Sequence, residues 1–235
     1  MRTNTEPRAS DGSGGLPGPG LARLLTLFSP AFPIGAFAWS HGLEAAIAEG
    51  RLADGPGVEA WIAFLLARGS GRTDLVLMAE AHRAARTGDA PRLGAVTALA
   101  TALAGGAERR AETLALGAAF VEASRPWGEG LFEPGEAPAY PVAVGRLGAH
   151  LSLALPDTAL GLAHGFAANL VSAALRLVPL AQSRSVVVLR NLEGPIEAAA
   201  RFAARSTLDD LGSASLVSDI AALRHEALET RLFRS

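Results

Sequence analysis

From Thr158 to Leu175 the chain carries no formal charge, and Asp157 and Arg176 bound the run. A segment this long and apolar either spans a membrane or forms a helix buried in a protein core. His164, Asn169 and two glycines lie inside it, and Pro156 and Pro179 punctuate its ends. These features predict a buried central helix and no membrane association. His164, inside this segment, is expected to be a hydrogen-bonded core histidine.

The composition points the same way. Of the 235 residues 49% are hydrophobic and 19% charged, while aromatics make up only 6%, so Ala, Leu and Val dominate the apolar content. Ala and Leu lose little freedom in a helix, so the expected class is all-α. So much apolar content with so little charge also favours burial against partners. One helical-bundle-like domain of about ten helices is expected over 21–218. Before it, Met1–Gly20 reads as a disordered Gly/Pro/Ser-rich leader without the apolar segment of a secretory signal, and residues 219–235 form a separate tail.

Several chemistries are excluded. All 21 basic residues are Arg, the net charge is −2, and no basic stripe suggests nucleic-acid binding. Without Lys there is neither a Schiff-base lysine nor a phosphate-binding P-loop. Cysteine is absent, which removes disulfides and thiolate catalysis and fits a cytoplasmic protein.

Local signals place the helices. Ser29-Pro30 and Pro33 make a fixed turn after a short helix at Leu21–Phe28. A helical pattern resumes over Phe37–Glu49 and stops at Gly50. Asp89 followed by Pro91, and Gly194-Pro195, are helix starts. Arg125–Ala139 is the longest internal loop, and Val186–Leu189 is the one strand-like run, too short and solitary to make a sheet.

No catalytic constellation assembles from the five histidines. There is no HExxH and no Glu-x-x-His pair. His41 and Glu44 stand three apart, and His225 and Glu229 four apart; both spacings suit surface contacts more than metal ligands. The chain reads as non-enzymatic, with no cofactor. A helical-bundle enzyme using His41/Glu44 or His164 is the alternative.

The tail mixes Leu223, Leu228, Leu232 and Phe233 with Arg224, His225, Glu226, Glu229, Arg231 and Arg234. Two readings stay open: a closing helix packed on the chain's own body, or an arm ordered by a partner.

Four segments resemble a known family. Ser29-Pro-Ala-Phe-Pro-Ile-Gly-Ala-Phe-Ala-Trp-Ser-His-Gly-Leu-Glu44 is similar to SPxxPxGxFSYSxGLE, the opening motif of the urease accessory protein UreF family. Tyr140-Pro-Val-Ala-Val-Gly145 resembles its [HY]PVxxG element, and Ala173–Gln182 its AAxRLxPLGQ segment. Asp219–Glu226 with Arg231–Ser235 resembles its DxAxMRHE…RLFRS ending. Ala38-Trp39 departs from the usual Ser-Tyr, Ala181 from Gly, and Val186 from Gln.

The resemblance implies an all-α, non-enzymatic chaperone that forms a homodimer. Such a protein bridges UreD (also called UreH) and the nickel-carrying GTPase UreG, and the assembly delivers nickel to apo-urease. Nickel is then handled by the complex rather than bound strongly by this chain. The tail becomes the arm ordered on UreD, with Arg224, His225, Glu226, Arg231, Leu232, Phe233 and Arg234 as contacts. Trp39, Ser40, His41 and Glu44 form the next candidate surface, on one helix, although a core role for Trp39 is equally open. Arg176 is expected either to pair across an interface or simply to suit its helix end, and Gln182 joins the candidate contacts.

Overall fold

In the computed structural model, which describes residues 18–178 and 181–234, the protein is all-α. Eleven α-helices occur among the described residues: α1 Gly18–Leu27, α2 Leu43–Ala48, α3 Gly55–Arg68, α4 Ser70–Thr87, α5 Ala90–Ala102, α6 Ala107–Ser124, α7 Tyr140–His150, α8 Leu155–Leu177, α9 Gln182–Asn191, α10 Glu193–Arg205 and α11 Leu216–His225. Short 3₁₀ turns occupy Ala36–Ala38 and Leu208–Asp210, and no strand is present among these residues. The leader expected over Met1–Gly20 lies outside the described residues except for its last three positions, as do Pro179, Leu180 and Ser235.

Helix starts follow local chemistry. Asp54 and Asp89 accept the backbone N–H groups of Gly57 and Arg92, satisfying donors that the first turns of α3 and α5 leave open. Pro56 and Pro91 sit in those turns, where a missing N–H does no harm.

The charge-free run forms most of α8. Ala159, Leu162, Ala163, Ala167, Leu170, Val171, Ala173 and Ala174 are buried against α1, α2, α3, α4, α7, α9 and α10. By length and composition α8 could cross a membrane, yet half of its apolar window is buried inside the protein. His164, by contrast, is exposed on the outer face of α8, so the expected core histidine is a surface one. Small residues on both sides of it make the apolar pattern blind to which face is outward. A buried imidazole does occur in α4 at His82, whose Nε2 lies 3.0 Å from the Leu153 carbonyl. Burial holds its pKa below the ordinary 6.5, partly offset by that hydrogen bond.

α4 and α7 approach most closely at Gly145. A Cβ there would stand 2.4 Å from the Met78 carbonyl oxygen and 2.9 Å from the His82 amide nitrogen. The glycine of the PVxxG element is therefore the point where two backbones touch. The main hydrophobic cluster extends from Leu24 to Phe233 and includes residues of nearly every helix.

The strand-like run makes no strand, as expected, and one local expectation is corrected. Val186–Leu189 is helical, inside α9, with Ser185 and Val188 facing inward three apart and Val186 and Val187 exposed. Inward packing at helical spacing outweighs the weak strand preference of valine. The correction concerns Phe37–Glu49, which is not one helix. A 3₁₀ turn is followed by extended Trp39, then by left-handed His41 (φ 51°) and Gly42 (φ 76°), and α2 begins only at Leu43.

Candidate functional site

The left-handed His41-Gly42 pair turns the chain under α11. A Cβ on Gly42 would lie 2.8 Å from the Ala222 nitrogen and 3.0 Å from the Ser218 oxygen, so α11 rests directly on this backbone. The inner face of α11 carries small or polar residues, with Ser218, Ala221 and His225 buried. Its outer face is apolar. Leu216 is 70% exposed, Val217 52%, Ile220 37% and Leu223 51%. The body–tail boundary expected at 219 falls inside this helix, which begins at Leu216.

His225 is fully buried at the end of α11. Its Nε2 lies 2.8 Å from Glu44 Oε2 and its Nδ1 2.8 Å from Glu108 Oε2. A carboxylate only accepts, so an imidazolium satisfies both contacts and a neutral ring satisfies one. The same carboxylates hold the chain that follows. Glu44 accepts the backbone N–H of Leu232 (2.7 Å) and of Phe233 (3.0 Å), while Glu108 accepts Arg231 Nη1 (2.6 Å). The Arg234 N–H donates to the Ala38 carbonyl at 2.8 Å.

Residues 226–234 thus form a strap across α6, α2 and the opening motif. Phe233 is its buried anchor, covered by the Arg176 guanidinium 4.3 Å from the ring centroid. Arg176 also donates to the Phe37 carbonyl (2.6 Å), and the Arg234 guanidinium lies 5.9 Å above the Trp39 ring. Arg224 pairs with Glu49, whose pKa Arg51 and Arg224 hold below the ordinary value. Glu226 accepts the N–H groups of Ala107 (3.0 Å) and Glu108 (3.4 Å), capping α6, where Gly106 supplies no side-chain cap.

A second buried charge cluster lies beside the first. His41 Nε2 is 2.9 Å from Glu112 Oε1, and its Nδ1 is 3.2 Å from Ser70 Oγ. Arg109 joins Glu112 (3.0 Å) to Asp74. Burial raises the pKa of Asp74 despite Arg109. At Glu112 burial also pushes upward, but the attraction of His41 and Arg109 outweighs it and the value is lowered. His41, Asp74 and Arg109 line two cavities of about 430 and 370 Å³, the larger roofed by the Ser29–Phe37 turn.

The structure therefore redistributes the expected site residues. Trp39, Ser40, His41 and Glu44 are buried and do not form an outward helix face. Ser40 accepts the Glu44 N–H, as its place before α2 suggests. His41 and Glu44 share no partner among the described residues, and His164 is exposed on the outer face of α8. His225 and Phe233 are also buried, so the tail packs on the chain's own body. Arg224, Glu226, Arg231, Leu232 and Arg234 are exposed, as is Gln182 at the start of α9. No group of three or more His, Asp or Glu residues is placed to hold a metal among the described residues. Glu108, the partner of both His225 and Arg231, has no sequence signal beyond its position in the first turn of α6.

Comparison with known proteins follows the same lines. The UreF family profile matches residues 52–193. The chain is 48% identical to the urease accessory protein UreF of Rhizobium etli, over 92% of this chain and 96% of that protein. It is 50% identical to the UreF of Rhizobium leguminosarum bv. trifolii over the same shares, and 43% identical to that of a Bradyrhizobium species over the full length of both.

Proposed function

This chain belongs to the UreF family, and we propose that it serves urease maturation as a non-enzymatic scaffold in the cytoplasm. In this reading it forms a homodimer, binds UreD/UreH, and brings the GTPase UreG to apo-urease so that nickel carried by the partners can be inserted. The observation that supports a scaffold is the inverted helix α11. It turns its small face inward and leaves Leu216, Val217, Ile220 and Leu223 in solvent, beside a strap whose Leu232 is 69% exposed. Clustered apolar side chains on an outer face call for a covering partner. Exposed Arg224, Arg231 and Arg234 on the same segment add guanidinium groups able to pair with carboxylates of UreD.

Ile220→Asp and Leu223→Asp test this directly, because neither side chain is buried. The variants are expected to keep the parent melting temperature and to lose co-purification with UreD, read by light scattering. Retention of the complex with both variants would overturn the docking surface.

A further inference from the structure

The strap alternates: Leu232 points outward at 69% exposed, and Phe233 points inward at 4%. The chain bends at these two residues, so one side chain enters the body while its neighbour stays outside. Both N–H groups turn to one acceptor at this bend, the Glu44 carboxylate, while Phe233 packs under the Arg176 guanidinium.

Glu44 is itself immobilised. It is 6% exposed, lies in the first turn of α2, and receives His225 Nε2 on the same oxygen that accepts the Phe233 amide. Glu108 completes the arrangement from the other side, holding His225 Nδ1 and Arg231 together. The strap's other attachments are Arg231 on Glu108, Glu226 on the α6 amides, Phe233 under Arg176 and the Arg234 N–H on the Ala38 carbonyl.

We infer that Glu44 is a positioning residue for partner docking: it holds the bend of the strap that presents Leu232 outward. The inference rests on the proposal that UreD docks on the C-terminal segment. Glu44 touches no partner in this scheme and acts only through the strap, so the SxGLE opening and the RLFRS ending are parts of one device.

The test is Glu44→Gln in the full-length chain, with two readouts. Hydrogen exchange followed by mass spectrometry reads the strap amides, and titration with purified UreD reads affinity. Loss of the charged acceptor should accelerate exchange at residues 232 and 233 and weaken UreD binding by about tenfold, as expected for losing a charge-assisted hydrogen bond. Ile220→Asp in parallel should weaken binding while leaving strap exchange unchanged. If E44Q does not fold, Glu44→Asp keeps the charge beside His225 but draws the carboxylate back from the strap amides, and it should give the same pair of effects. Unchanged strap exchange in the variant would overturn the clamp. Faster exchange with parent-like UreD affinity would overturn the positioning role. If Ile220→Asp also binds normally, it is the docking reading that fails rather than the clamp.

Discussion

Replacing Gly145 by Ala adds one methyl group where α4 and α7 cross. Its Cβ would sit 2.4 Å from the Met78 carbonyl oxygen, about 1 Å inside ordinary contact, and the obstacle is backbone that cannot rotate away. Relieving the clash means parting two helices that share buried Met78, Ala81, Val142 and Ala149. Overpacking of this kind costs about 1–3 kcal/mol, and backbone obstruction favours the upper end. Removing a glycine from a helix interior returns about 0.5–1 kcal/mol. The net expectation is a loss of about 2 kcal/mol, or a melting temperature lower by about 4–8 °C for a chain of this size. Gly94→Ala is the control: it lies inside α5 with nothing within 4 Å of its Cβ position. That variant receives only the helix benefit and should melt about 1–4 °C above the parent. Urea and thermal unfolding followed by circular dichroism measure both. A Gly145→Ala protein at or above the parent's stability, together with a stabilised Gly94→Ala, would refute the close-approach argument.

Two further outcomes follow from side-chain placement. Burial holds the pKa of His82 below 6.5, so the folded state resists a proton that the unfolded chain accepts. Stability from the neutral ring is complete above about pH 6.5 and declines as pH falls below it, by up to about 1.4 kcal/mol per pH unit. Urea midpoints at pH 7.5 and 5.5 should show the parent losing more than His82→Gln; equal losses would contradict the assignment. Glu226→Ala leaves the α6 amides of Ala107 and Glu108 uncapped and should reduce stability by about 1 kcal/mol, although Glu226 is exposed. An unchanged midpoint would mean that water replaces this cap without loss.

The parts of the fold that were readable from the sequence are those decided within one helical turn. Asp89 with Pro91, Gly194-Pro195 and the long loop at Arg125–Ala139 mark boundaries found in the structure because capping and ring closure are local effects. The charge-free run of α8 was readable as a buried helix because few sequences of that length have another use. What was not readable depends on distant partners. His225 looks like one charged residue among many in the tail, and its complete burial arises from carboxylates 181 and 117 residues away. The break at Trp39–Gly42 is equally invisible, because His41 takes a left-handed conformation within a fold that pairs it with Glu112. The resemblance to UreF pointed to segments of the chain but not to the orientation of their side chains. Of the opening motif's candidates, four side chains face the interior.

The strap also imposes an order of events. In an unfolded chain, bringing Leu232 to Glu44 closes a loop of 188 residues. Once α11 rests on Gly42, only the stretch after His225 remains to be closed, which lowers the entropic cost by about 3 kcal/mol on a logarithmic loop law. Its anchors come from α2, α6 and α8, elements that must already be in place for the strap to find them. The outward face carrying Leu232 therefore comes into being last, as the signature of a finished body. A copy lacking one of those anchors has one contact fewer to hold Leu232 outward.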